Sequence, residues 1–231
     1  MNAIKLTSIA VAGFAAVAMN AASAEAFSFN VGGTEVAGEG YKSSVAGVTT
    51  IDFNSGTDPS NDFVKFSGLA ADSIVQGSKV NNYATPSGNT TSYLTISNVG
   101  SGIAGATGSV TLTFAKALDY FGLYWGSADP FNSISFFSGD KLLASFTGSE
   151  VSTTARGSWT GATDNIYTNF FAGQGEAFDK VVLRSTGIAF ESDNFAYREA
   201  SAVPEPLTLG GTAIGLALGA RMRKKMKAKA A

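Results

Sequence analysis

The 231-residue chain has no histidine and no cysteine, and it is poor in proline and tryptophan, with 5 and 2 respectively. Without histidine or cysteine, Ser-His-Asp and Cys-His nucleophile systems, His-based zinc sites and imidazole proton shuttles are all excluded. Disulfide staples are excluded too, so stability must come from the core, the sheet hydrogen bonds and at most a bound cation. Carboxylate chemistry is then the main enzymatic option, and it needs two carboxylates about 5–10 Å apart across a cleft. Among the acidic residues no motif singles out such a pair, and the chain is read as non-enzymatic. No GxxxxGK[ST] or strand-GxGxxG-helix pattern provides a phosphate cradle.

Charge is distributed unevenly. Residues 25–202 carry 9 Lys and Arg against 17 Asp and Glu, a formal charge of −8, which the basic ends reduce to −2 for the whole chain. An acidic domain repels phosphate backbones, so nucleic acid is not an expected partner.

What is present begins with two apolar ends. Lys5 precedes the run from Leu6 to Ala18, and Ala22-Ser23-Ala24 places small residues at −3 and −1 of a cleavage point before Glu25. This is the pattern of a secretory signal peptide over 1–24, with signal peptidase and the secretion machinery as partners. The alternative is an uncleaved N-terminal helix.

At the other end, Val203-Pro204-Glu205-Pro206 is followed by the uncharged 14-residue run Leu207 to Ala220 and by a basic cluster of Arg221, Arg223, Lys224, Lys225 and Lys227. Pro204 and Pro206 fix φ and lack backbone donors, so Glu205 is presented on a stiff, extended segment, as a peptide is shown to an enzyme cleft. As a short hydrophobic helix the run would span about 21 Å, less than the about 30 Å of a hydrocarbon core. A transient inner-membrane anchor fits better than a permanent one. The basic cluster stays cytoplasmic by the positive-inside rule, and the domain before it is then exported.

The order of these three parts resembles a PEP-CTERM sorting signal over residues 203–231. The resemblance implies a substrate of an exosortase, a membrane-embedded cysteine transpeptidase of bacteria that make extracellular polysaccharide. It also implies delivery to the cell surface or extracellular matrix. A plain membrane tail with an incidental proline linker is the alternative.

Between the ends, residues 25–202 alternate short runs rich in Val, Ile, Phe, Tyr and Thr with clusters of Gly, Ser, Asn and Asp, and no stretch keeps helical periodicity for three turns. The expectation is all-β, with strands at 27–31, 48–53, 74–80, 93–96, 109–114, 120–125, 133–137, 142–146, 167–171, 180–185 and 189–197. Strands in this number without helical crossovers point to two packed antiparallel sheets, a jelly-roll-like β-sandwich. Ser138-Gly139-Asp140-Lys141 reads as a hairpin turn, and residues 85–108 as a flexible loop interrupted by one strand. The segments Gly122 to Asn132 and Gly187 to Tyr197 resemble stretches common in exported PEP-CTERM β-sandwich proteins, a resemblance that carries fold and destination but no catalytic role.

Two binding readings attach to particular residues. Aromatic rings stack on sugars and Asp or Asn side chains bind hydroxyls, which makes Tyr124, Trp125, Asp129, Asn132 and Trp159 candidates for contact with extracellular polysaccharide. The competing assignment puts Trp125 in the core and uses Trp159 as a loop anchor. Asp52 and Asp193, near the two ends of the domain sequence, are candidates for a structural Ca²⁺; the competing assignment makes both turn or cap carboxylates, and no DxDxDG loop is present. The reading adopted is an exported, non-enzymatic surface protein sorted through Val203–Pro206, with a carbohydrate-binding module as the alternative.

Overall fold

The computed structural model describes residues 26–201; the signal-peptidase residues Ala22, Ala24 and Glu25, the sorting motif from Val203 to Pro206, and the basic cluster from Arg221 to Lys227 lie outside the described residues. The described part is all-β and antiparallel, with a single four-residue helix, α1 (Gly148–Val151), whose start is tied by the Glu150 carboxylate accepting the Thr147 N–H at 2.7 Å.

One long strand, β8 (Ser109–Gly126), organises the sheet. Its first half pairs with β12 (Phe178–Ser185) on one side and β5 (Val64–Ser67) on the other, and β12 continues through β9 (Asn132–Ser138) to β10 (Lys141–Thr147). Its second half pairs instead with β11 (Ile166–Phe171) and β13 (Phe190–Glu199). Beyond β11 lies β1 (Ser28–Val31); beyond β13 lie β4 (Thr49–Ile51) and β7 (Ser92–Ile96), and then β6 (Ile74–Gln76).

The change of partners happens at one place. Thr113 lies opposite Lys180 and Leu118 opposite Phe178, so β8 runs several residues further than β12 over the same interval. Ala115, Lys116 and Ala117 are exposed there, which is why the sequence reads as two strands, 109–114 and 120–125, where the chain makes one.

Rings from the two strand groups meet across the core. Phe136 of β9 lies 5.0 Å from Phe170 of β11 and 6.3 Å from Phe121 in the second half of β8, and Phe66 of β5 stacks on Phe195 of β13 at 6.3 Å. Fully burying such a side chain contributes roughly 1.5–3 kcal/mol. Phe121, Leu123 and Trp125, alternate residues on one face of β8, are fully buried.

The opposite face of the same strand is buried as well. A separate hairpin, β2 (Thr34–Val36) with β3 (Gly40–Lys42), covers it. Gly40, at φ +68°, lies so close to the Tyr124 ring that a Cβ would overlap it, and the Tyr124 hydroxyl donates to the Ser87 carbonyl at 2.5 Å. The turn at Gly139 forms as the sequence suggests, with Ser138 opposite Lys141 and Gly139 at φ +57°. Residues 85–108 contain β7 as their one strand, but the segment before it is pinned: the Ser87 N–H donates to Asn165 Oδ1 at 2.9 Å. Strand β6 stops at Gln76, short of the expected 74–80, and β2, β3 and β5 are strands that the sequence reading did not mark.

Candidate functional site

A cleft of about 260 Å³ opens where β8 ends and β9 and β13 begin, and Asp129, Arg156, Trp159 and Glu191 are among its lining residues. Asn81, Asn82, Tyr83 and Phe131 complete much of the wall. The volume is below the about 300–1,000 Å³ of pockets that enclose drug-sized ligands, so one ring-sized group is the natural occupant.

The Asp129 carboxylate accepts no hydrogen bond among the described residues. Burial, and then the negative charge of Asp164, push its carboxyl up to about 6, and no hydrogen bond offsets them. The approach of the next loop is equally close, since a Cβ on Gly157, at φ +65°, would stand 2.5 Å from Asp129 Oδ1. Glycine is required at 157 on both counts.

Glu191 is only 2 % exposed, behind Asp129. Its two oxygens accept from the Ala84 N–H and the Ser127 hydroxyl, each at 2.8 Å. Burial dominates all the same and pushes its carboxyl up to about 7.

The loop that carries Arg156 and Trp159 is built on the buried pair Asp164 and Asn165. The Asp164 carboxylate accepts from the Ser152 hydroxyl at 2.8 Å, from the Thr154 hydroxyl, and from the N–H groups of Ser158 at 3.1 Å and Arg156 at 3.3 Å. Burial alone would raise this carboxyl; the donors, Thr154 foremost, hold it below its ordinary value instead. Asn165 accepts from Ser87 and Ser127 N–H groups through Oδ1 and donates to the Ser158 and Gly161 carbonyls through Nδ2. One amide thereby ties three wall segments together.

Backbone strain gathers at the same place. Asn81 at φ +58°, Ser127 at φ +39° and Ala155 at φ +44° line or border the cleft, in a region that only glycine enters freely. Residues held there cost on the order of 1–3 kcal/mol each and cluster at binding sites.

Of the five residues proposed for glycan contact, the structure brings two together, Asp129 and Trp159, the latter 43 % exposed. The other three are corrected by burial. Trp125 is fully enclosed and stacks on Phe190 at 4.4 Å; Tyr124 lies beneath the β2–β3 hairpin; Asn132 is spent on the Ala189 carbonyl at 2.9 Å and the Ser185 hydroxyl at 2.8 Å. None of them has a free face for a ring.

The calcium candidates separate in the same way. Asp193 is fully buried, with its oxygens engaged by the Asn194 N–H at 2.7 Å and Asn89 Nδ2 at 2.6 Å, and it is pushed up to about 7, first by burial. Asp52 is exposed and accepts from the Asn54 N–H at 3.2 Å, a turn carboxylate. Its charge reaches Asp193, but no group of three carboxylates suited to a metal ion occurs among the described residues.

Sequence reasoning missed Arg156, Glu191, Asp164 and Asn165. A signal existed for Glu191, since Glu and Asp are rare inside strands yet both fall within the expected strand 189–197, where β13 forms. For the Asp164-Asn165 pair the only sequence reading was a turn. Comparison of the chain with protein families, with curated proteins and with solved structures gives no match.

Proposed function

We propose that the chain is an exported, non-enzymatic surface or matrix protein: a jelly-roll-like β-sandwich that an exosortase-like transpeptidase sorts through its C-terminal signal. The observation that carries this reading is the order Val203-Pro204-Glu205-Pro206, apolar run, and basic cluster from Arg221 to Lys227. The run holds the protein in the inner membrane transiently, and the motif is the scissile segment. The signal-peptide pattern ending at Ala24 agrees with the same topology. Replacing Pro204-Glu205-Pro206 with alanines is expected to leave the C-terminal segment attached and the domain undelivered. Normal processing of that variant would refute the reading.

A second reading, that the domain is a carbohydrate-binding module, is favoured by Trp159 and Asp129 sharing one cleft. An exposed indole offers a face to the C–H side of a sugar ring, and an unsatisfied carboxylate accepts from its hydroxyls. Trp159→Ala is expected to abolish glycan-array binding with the fold unchanged by circular dichroism.

A further inference from the structure

The cleft has an excess of negative charge over positive. Asp129 and Glu191 line it, and the buried Asp164 carboxylate lies close enough for its charge to be felt at Asp129. Arg156 is the one basic side chain on the lining; it is exposed and forms no ion pair among the described residues. A half-buried carboxylate that accepts no hydrogen bond from the described residues is open to a cation or a strong donor from the ligand. The aromatic members of the wall, Trp159, Tyr83 and Phe131, add surfaces that attract a positive charge through their ring faces.

We propose that the cleft selects a pyranose bearing a protonated primary amine, the ring lying on Trp159 and the ammonium on the Asp129 carboxylate. This rests on the carbohydrate reading above and narrows it to amino sugars with a free amine. The ammonium supplies the charge-assisted donors that Asp129 lacks. An acetylated amine loses the charge and adds bulk to a cleft sized for one ring. A uronate would meet the carboxylates with like charge. An amine without a ring would find the charge but leave Trp159 uncovered.

The test is isothermal titration calorimetry of the full-length chain near pH 7 with glucosamine, glucose, N-acetylglucosamine and n-propylamine. Glucosamine is expected to bind about tenfold or more tighter than the other three, in keeping with a charge-assisted hydrogen bond. Asp129→Asn, at a side chain that gives up no internal hydrogen bond, is expected to bring glucosamine down to the level of glucose. Equal affinity for glucosamine and glucose, selectivity that survives Asp129→Asn, or propylamine matching glucosamine would each overturn the amine preference while leaving sugar binding in place. If no sugar binds a natively folded chain, the carbohydrate reading falls and the amine preference with it.

Discussion

Glu191 is a buried carboxyl whose donors, the Ala84 N–H and the Ser127 hydroxyl, come from distant segments of the chain. Its burial sets a pH dependence whose sign can be worked out. The carboxyl ionises near 4.5 when unfolded and near 7 when folded, so the folded chain holds the proton more tightly. Stability is then highest below about pH 4.5 as far as this group is concerned, and falls as pH rises to about 7. The loss is on the order of 3 kcal/mol, and Asp193, raised for the same reason, adds to it. Asp164, lowered by its donors, acts oppositely and only at more acidic pH. Thermal melts are expected to show a higher midpoint at pH 5 than at pH 8. Glu191→Gln should reduce that difference, leaving the shares of Asp193 and Asp129. A midpoint that rises from pH 5 to pH 8 would contradict the assignment of buried, unpaired carboxyls.

Among the elements, most strands were legible because alternation or apolar runs marked them, and the misses have physical causes. The run Val64-Lys65-Phe66-Ser67 alternates but is only four residues long. Strands β2 and β3 are three residues each, set among glycines, and exist because β8 and β13 need a cover on their outer face. What holds that cover is the irregularity in β13, where Asp193 lies opposite Tyr124 but Ala196 opposite Gly122. The extra residue places Asn194 at φ +50°, and its Nδ2 donates to the Glu39 and Tyr41 carbonyls at 2.7 and 3.1 Å. Asn194→Gly keeps the backbone permissible but removes both donors, at an expected cost of about 1–3 kcal/mol. Hydrogen exchange should then accelerate over residues 34–42 while β9 and β12 stay protected. Uniform acceleration throughout the domain would mean that the hairpin is not held by this side chain.

For the whole molecule, the all-β class was legible in the spacing of short runs, whereas the exchange of partners along β8 was not, because a strand's neighbours are decided by packing. Phe136 sits at the meeting of the two strand groups, with Phe27, Phe121, Phe146, Phe170 and Phe178 around it. Phe136→Ala is expected to cost about 3–5 kcal/mol in urea unfolding. A cost below about 1 kcal/mol would mean that this ring does not sit in a close-packed core. The glycan-contact set shows the same limit at the level of the site: sequence could nominate aromatics but not tell the enclosed Trp125 from the exposed Trp159.

In the proposed reading, destination resides in the two ends of the chain and not in the packing between them. Intact-mass measurement of the protein recovered from the surface of its native host tests that claim most directly. A mature chain that begins at Glu25 and has lost the segment from Arg221 to Ala231 is the expected result. Recovery of a chain that still carries that basic segment would contradict sorting by cleavage.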